Sequence, residues 1–140
     1  MDHLLGYDAL SAALIYIRSN VSKIYICTDA PLNFGQVTAY ELGVKSIGSG
    51  SFDGPEEFYG DPEAEIDSGP DAILHVMQIT NIQMSAEGMS QYIALTGGGE
   101  LLVVAPCGAL ELEYGCVINV EEWCIRVKQP LHSCFGEGGS

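Results

Sequence analysis

The sequence predicts a mainly β protein: an antiparallel β-sandwich, immunoglobulin-like or jelly-roll-like, with a short N-terminal helix and a long acidic loop. Three observations carry this reading. Residues 71–130 hold a series of short apolar runs joined by glycine turns, at the spacing of about 8–12 residues that marks sandwiches and barrels. A single segment near the start repeats its apolar residues at helical period. Residues 48–70 hold five glycines, three prolines and seven acids without one basic residue, which reads as an exposed excursion.

The elements follow in order. Over residues 8–18, Leu10, Leu14 and Ile17 share one helical face with Tyr7, and Asp8 or Ser11 can serve the first backbone donors. A strand is predicted over 23–28, where Ile24 and Ile26 alternate with Tyr25 and Cys27. Pro31, with Asp29 and Asn33 around it, marks a turn. Residues 38–43 read as one helical turn closed by Gly43, and 44–47 as a short strand. The β half then runs over 71–80, 89–96, 100–105, 116–120 and 122–129. Gly97, Gly98 and Gly99 form a hairpin tip with positive φ, Gly115 precedes a strand, and Gly88 marks a turn or bulge. In the last strand Trp123, Ile125 and Val127 face the core, while Cys124, Arg126 and Lys128 face a wetter side. The organisation expected is a helical arm over 1–22, a β domain over 23–130 containing the acidic loop, and a flexible tail over 131–140.

A chain of 140 residues suits one domain with a real core, and 47% apolar against 17% charged residues argues against a disordered chain. Nineteen acids face five bases, for a net charge of −14. Arg18, Lys23, Lys45, Arg126 and Lys128 are scattered, so no nucleic-acid partner is expected, and an acidic surface repels anionic membranes. The first residues lack the basic start of a signal peptide, and the longest apolar run, residues 9–17, is too short to cross a bilayer. Synthesis in a cytoplasm is expected, with Cys27, Cys107, Cys116, Cys124 and Cys134 as buried, inert thiols.

No constellation for chemistry stands out. Asp61, Glu63, Glu65 and Asp67 offer hard oxygen ligands, but not at the spacing of an EF-hand, so no metal site is expected. Glu111 and Glu113 flank a turn, and Glu121 and Glu122 point to opposite faces of a strand, so no hydrolytic carboxylate pair is assigned. His75 lies mid-strand and reads as a structural residue; His132 lies in the tail. The run from Gly48 to Gly54 lacks the lysine and helix of a phosphate loop. Catalytic residues, cofactors and metals are therefore expected to be none.

A resemblance enters with the order of segments. A strand ending at Cys27 is followed by Ala30-Pro31, by Thr38-Ala-Tyr-Glu-Leu, by Gly88-Met-Ser-Gln-Tyr-Ile-Ala-Leu, and by Leu101-Leu-Val-Val. The closing strand reads Trp123-Cys-Ile-Arg-Val and runs on to Pro130. This resembles a family of small virion proteins of tailed bacteriophages, encoded among head genes. The resemblance covers about residues 23–130, and the acidic excursion at 48–70 departs from it.

The resemblance implies a non-enzymatic structural protein, foremost a capsid decoration (cement) protein that bridges capsid subunits. Its partners would be the major capsid protein or other virion proteins, it would form homo-oligomers, and it would reside in the virion after synthesis in a bacterial cytoplasm. Two other readings are a low-copy neck, head–tail or tail adaptor protein and a free binding module for cations or sugars. Interface residues expected from exposure and apolar character are Leu4, Leu5, Tyr7, Leu10, Leu14, Phe58, Tyr59 and Phe135.

Overall fold

Leu10, Leu14 and Ile17 fall on one side of helix α1 (Tyr7–Asn20), and all three are buried. The computed structural model that shows this describes residues 7–58 and 71–127. Among them the protein is mainly β with antiparallel sheets. After α1 come β1 (Lys23–Cys27), α2 (Phe34–Ala39), β2 (Glu41–Ser46), a 3-10 turn (Ser49–Ser51) and β3 (Phe52–Phe58). The chain continues through β4 (Asp71–Val76), β5 (Ile79–Gln83), β6 (Gly88–Gly97), β7 (Glu100–Leu112), β8 (Val117–Val120) and β9 (Trp123–Val127).

Three sheets result, with strand orders β2-β1-β6-β7, β3-β4-β9 and β5-β8. Strand alternation sends Ile24, Ile26, Ile93 and Leu95 from the four-stranded sheet into the main core. Ala72, Leu74 and Val76 of β4 enter the same core, with Ile79 and Ile82 of β5 and the buried face of α1. The opposite face of the four-stranded sheet is also covered: Tyr25, Cys27 and Ala94 pack against Val37 of α2. Burial of this kind contributes about 1.5–3 kcal/mol per large apolar side chain.

Several expectations are corrected. The helical turn placed at 38–43 begins earlier, because the Asn33 side chain caps α2 by accepting from the Gln36 N–H at 2.9 Å. Gly43 does not end a helix; it lies in β2. A Cβ there would stand 2.4 Å from the Met84 methyl and 2.8 Å from the Gln83 carbonyl oxygen, so glycine admits the close approach of that segment. The single strand placed at 71–80 is two strands in two sheets. The chain crosses at Met77 and Gln78, where the Met77 N–H donates to the Ser51 carbonyl at 2.9 Å. The excursion at 48–70 is not all loop, since Phe52–Phe58 pairs with β4 and buries Phe52 in the core. Its acidic stretch at 59–70 and the tail lie outside the described residues.

The helix at the N-terminus is part of the body. The Arg18 side chain donates to the Ser49 carbonyl at 3.2 Å and to the Gly54 carbonyl at 2.5 Å. Just past the helix, the Ser22 N–H donates to the Thr96 carbonyl at 2.8 Å. The hairpin tip follows expectation at Gly98, φ 60°, and Gly99, φ 77°, whereas Gly97 is the last residue of β6 and has no positive φ.

Gly97 is where α1 meets this hairpin. A Cβ on it would stand 1.8 Å from the Asn20 carbonyl oxygen, a backbone atom with little room to retreat. Gly97→Ala is expected to lower unfolding stability by about 3 kcal/mol or more. Gly98→Ala meets nothing within 4 Å among the described residues, and its positive φ costs only about 1–2 kcal/mol. Urea denaturation of both variants checks the order; equal losses would contradict the contact at Asn20.

Candidate functional site

Two exposed features gather the polar and apolar side chains that can meet a partner. The first is the β6–β7 hairpin. β7 is 13 residues long and forms one edge of the four-stranded sheet, so among the described residues it pairs on one side only, with β6. An edge of that length offers a row of backbone donors and acceptors to a further strand. At its far end Met89 is exposed beside a cleft lined by Glu87, Glu111 and Glu113; Leu110, also exposed, pairs with Ser90 one step along the register and lies on the opposite face of the hairpin. An exposed apolar side chain with carboxylates around it suits a partner surface with a basic rim.

A cavity of about 200 Å³ lies between this hairpin and β8, lined mainly by Ile26, Ile93, Leu110, Ile118 and Cys107. It falls below the roughly 300–1,000 Å³ of small-molecule sites. Burial raises the Cys107 thiol, and the hydrogen bond from Ser90 partly offsets this.

The second feature is the outer face of the β3-β4-β9 sheet. Register places His75 of β4 opposite Cys124 of β9 and opposite Asp53 of β3. The Cys124 sulfur lies 3.2 Å from His75 Nδ1, and a Glu56 carboxylate oxygen lies 3.3 Å from His75 Nε2. The two ring nitrogens point at different groups, so sulfur and carboxylate do not converge on one ion; among the described residues no cluster fit to hold a metal occurs. Further along the same face Arg126 donates to one Asp71 oxygen at 2.8 and 2.5 Å and stacks over the Phe58 ring at 4.7 Å.

The structure sorts the expected interface residues. Leu10 and Leu14 are not available to a partner, because the protein's own core buries them. Tyr7 is half-buried and packs on that core. Phe58 is half-buried on the outer face, beneath Arg126. Leu4, Leu5, Tyr59 and Phe135 lie outside the described residues. Sequence reasoning missed exposed Met89, which falls in a run read as a strand, and exposed Leu110, which falls past the strand read over 100–105 although β7 runs on to Leu112. It also missed the Cys124–His75–Glu56 chain. Alternation already put Cys124 on the wetter face, but the partners come from strands far apart in sequence.

The cysteines correct one more expectation. Cys27 is buried as foreseen, but Cys107 and Cys116 are half-buried and Cys124 is exposed. Burial foremost, then the charge of Glu41 and the neighbouring Cys107, pushes the Cys27 thiol up from 9.0 to about 11. A raised folded value means that the unfolded thiol ionises first. The stability tied to Cys27 is therefore fully present below pH 9.0 and is lost as pH rises toward about 11. The loss across that window is about 2–3 kcal/mol. Denaturant titrations along this range should show a steeper fall for the native chain than for Cys27→Ala; parallel curves would sink the assignment.

Comparison with protein-family models, with curated proteins and with solved structures finds no match, so the candidate site rests on its own geometry.

Proposed function

We propose that this protein is a non-enzymatic structural component of a tailed-bacteriophage particle, a capsid decoration protein that bridges neighbouring capsid subunits. The observation that carries the reading is the long edge strand β7, which pairs on one side only among the described residues and runs, at its far end, beside exposed Met89 of β6 with Glu87, Glu111 and Glu113 around it. A decoration protein works through repeated small contacts, whose modest individual strength is multiplied over a lattice. Edge pairing, an apolar centre and an acidic rim supply such a contact toward a basic capsid surface. The net charge of −14 favours the same kind of partner.

The resemblance to small head-gene proteins adds support, because its marks fall on framework strands. Gly88–Gly97 contains the small-residue and apolar segment, and Trp123–Val127 is the closing strand. In this reading the finer fold type is a β-sandwich, with the four-stranded and three-stranded sheets facing each other across the shared core. Its own copies and the major capsid protein are the partners, and the virion is the location.

Quantitative mass spectrometry of purified particles tests the proposal. A copy number comparable with that of the major capsid protein is expected, together with earlier heat-induced disruption of particles that lack the protein. A dozen or so copies would overturn decoration in favour of a neck or tail role. Absence from particles would overturn the virion reading altogether.

A further inference from the structure

The outer face of the three-stranded sheet holds an arrangement that a decoration role does not use. Cys124, His75 and Glu56 come from three adjacent strands and form a continuous chain, sulfur to ring to carboxylate, at 3.2 and 3.3 Å. A histidine's tautomer is set by the bond its other nitrogen makes. The Glu56 carboxylate can only accept, so its 3.3 Å contact favours the tautomer with the proton on Nε2, in which the Nδ1 lone pair faces the thiol of Cys124. The thiol proton therefore has an acceptor already in place. A thiol with an adjacent base held by a third group has the arrangement of an activated nucleophile.

Position separates this thiol from the others. Cys27 is buried, Cys107 and Cys116 are half-buried, and Cys124 is the exposed one among the described residues. The surroundings are a sheet face rather than an enclosed pocket. That admits a reagent needing only in-line approach to sulfur, and it supplies nothing to grip a large substrate.

We propose that Cys124 is a modification site that reacts with low-molecular-weight disulfides, cationic ones preferentially. The Cys124 sulfur attacks one sulfur of the disulfide while its proton passes to His75 Nδ1. A new S–S bond forms, the old one breaks, and the departing thiolate takes the proton from His75. Cys124 is oxidised and the small disulfide is reduced to one thiol and one half held on the protein. The step is stoichiometric and needs no other reactant. The preference for a cationic reagent follows from the charges facing the site. Glu56 lies at the ring, Asp53 sits opposite His75 on β3, and Arg126 on β9 is neutralised by Asp71. The proposal does not depend on the virion reading.

The test uses the full chain, reduced and then exposed to cystamine or to oxidised glutathione, with each cysteine followed by peptide mass spectrometry. Cys124 should acquire the cystamine half about tenfold faster than Cys116 in the same molecule, and oxidised glutathione should react more slowly than cystamine, by a margin that shrinks with salt. His75→Asn should bring the Cys124 rate down to that of Cys116, with Cys116 unchanged and Cys27 still unmodified as the sign of an intact fold. Glu56→Gln, a change at an exposed position, should slow Cys124 by about threefold without touching the core. Equal rates at Cys124 and Cys116, or a Cys124 rate indifferent to both substitutions, would overturn the activated thiol. Faster reaction with oxidised glutathione would overturn the charge preference.

Discussion

The protein depends on one close approach: the carbonyl of Asn20, at the end of α1, lies against the Cα of Gly97, at the tip of β6. Only a residue without a Cβ permits it. The contact brings Ser22 onto Thr96 and Ile47 onto Ser22, so that the start of β1 and the chain just past β2 are both anchored at the same corner. From there α1 runs beneath the three-stranded sheet and delivers Leu10, Leu14 and Ile17 to the core that Ile24, Ile26, Leu74 and Leu95 complete. A 14-residue helix is marginal by itself in water; here it is held by burial and by Arg18, whose donors reach Ser49 and Gly54.

Local signals made much of this legible. Helical period marked α1, and alternation marked β1 and β9, in β9 with Trp123, Ile125 and Val127 on the core side. The glycine run at 97–99 marked the tight hairpin. What escaped was set by distant contacts. Gly43 looks like a helix stop in sequence, yet it is a glycine because Met84 and Gln83 press against it. Phe52–Phe58 looks like loop because it carries Gly54, Pro55 and two glutamates, yet pairing with β4 makes it a strand. The run from Asp71 to Thr80 looks continuous, and only the change of partner from β9 to β8 divides it.

The surface features were hidden for the same reason. Met89 falls in a run read as a strand and Leu110 beyond the strand read over 100–105, and period alone does not reveal that β7 extends to Leu112 as a sheet edge. The chain of Cys124, His75 and Glu56 requires the register of β3, β4 and β9, in which residues 56, 75 and 124 become neighbours. The inner face of that sheet stabilises the molecule, while its outer face carries titratable groups in ordered contact. The edge of the other sheet presents backbone and apolar groups to a partner. Structural and chemical surfaces are thus separated by which side of which sheet they occupy.

The central claim is that α1 and the sheets form one cooperative body around a shared core. Native-state amide hydrogen exchange tests it most directly, because it reads the opening free energy of each segment separately. The account predicts that the amides of Val21 and Ser22 and those of β4 exchange with one common free energy, equal to that of global unfolding. Helix and junction amides that open at far lower free energy, while β4 stays protected, would contradict it.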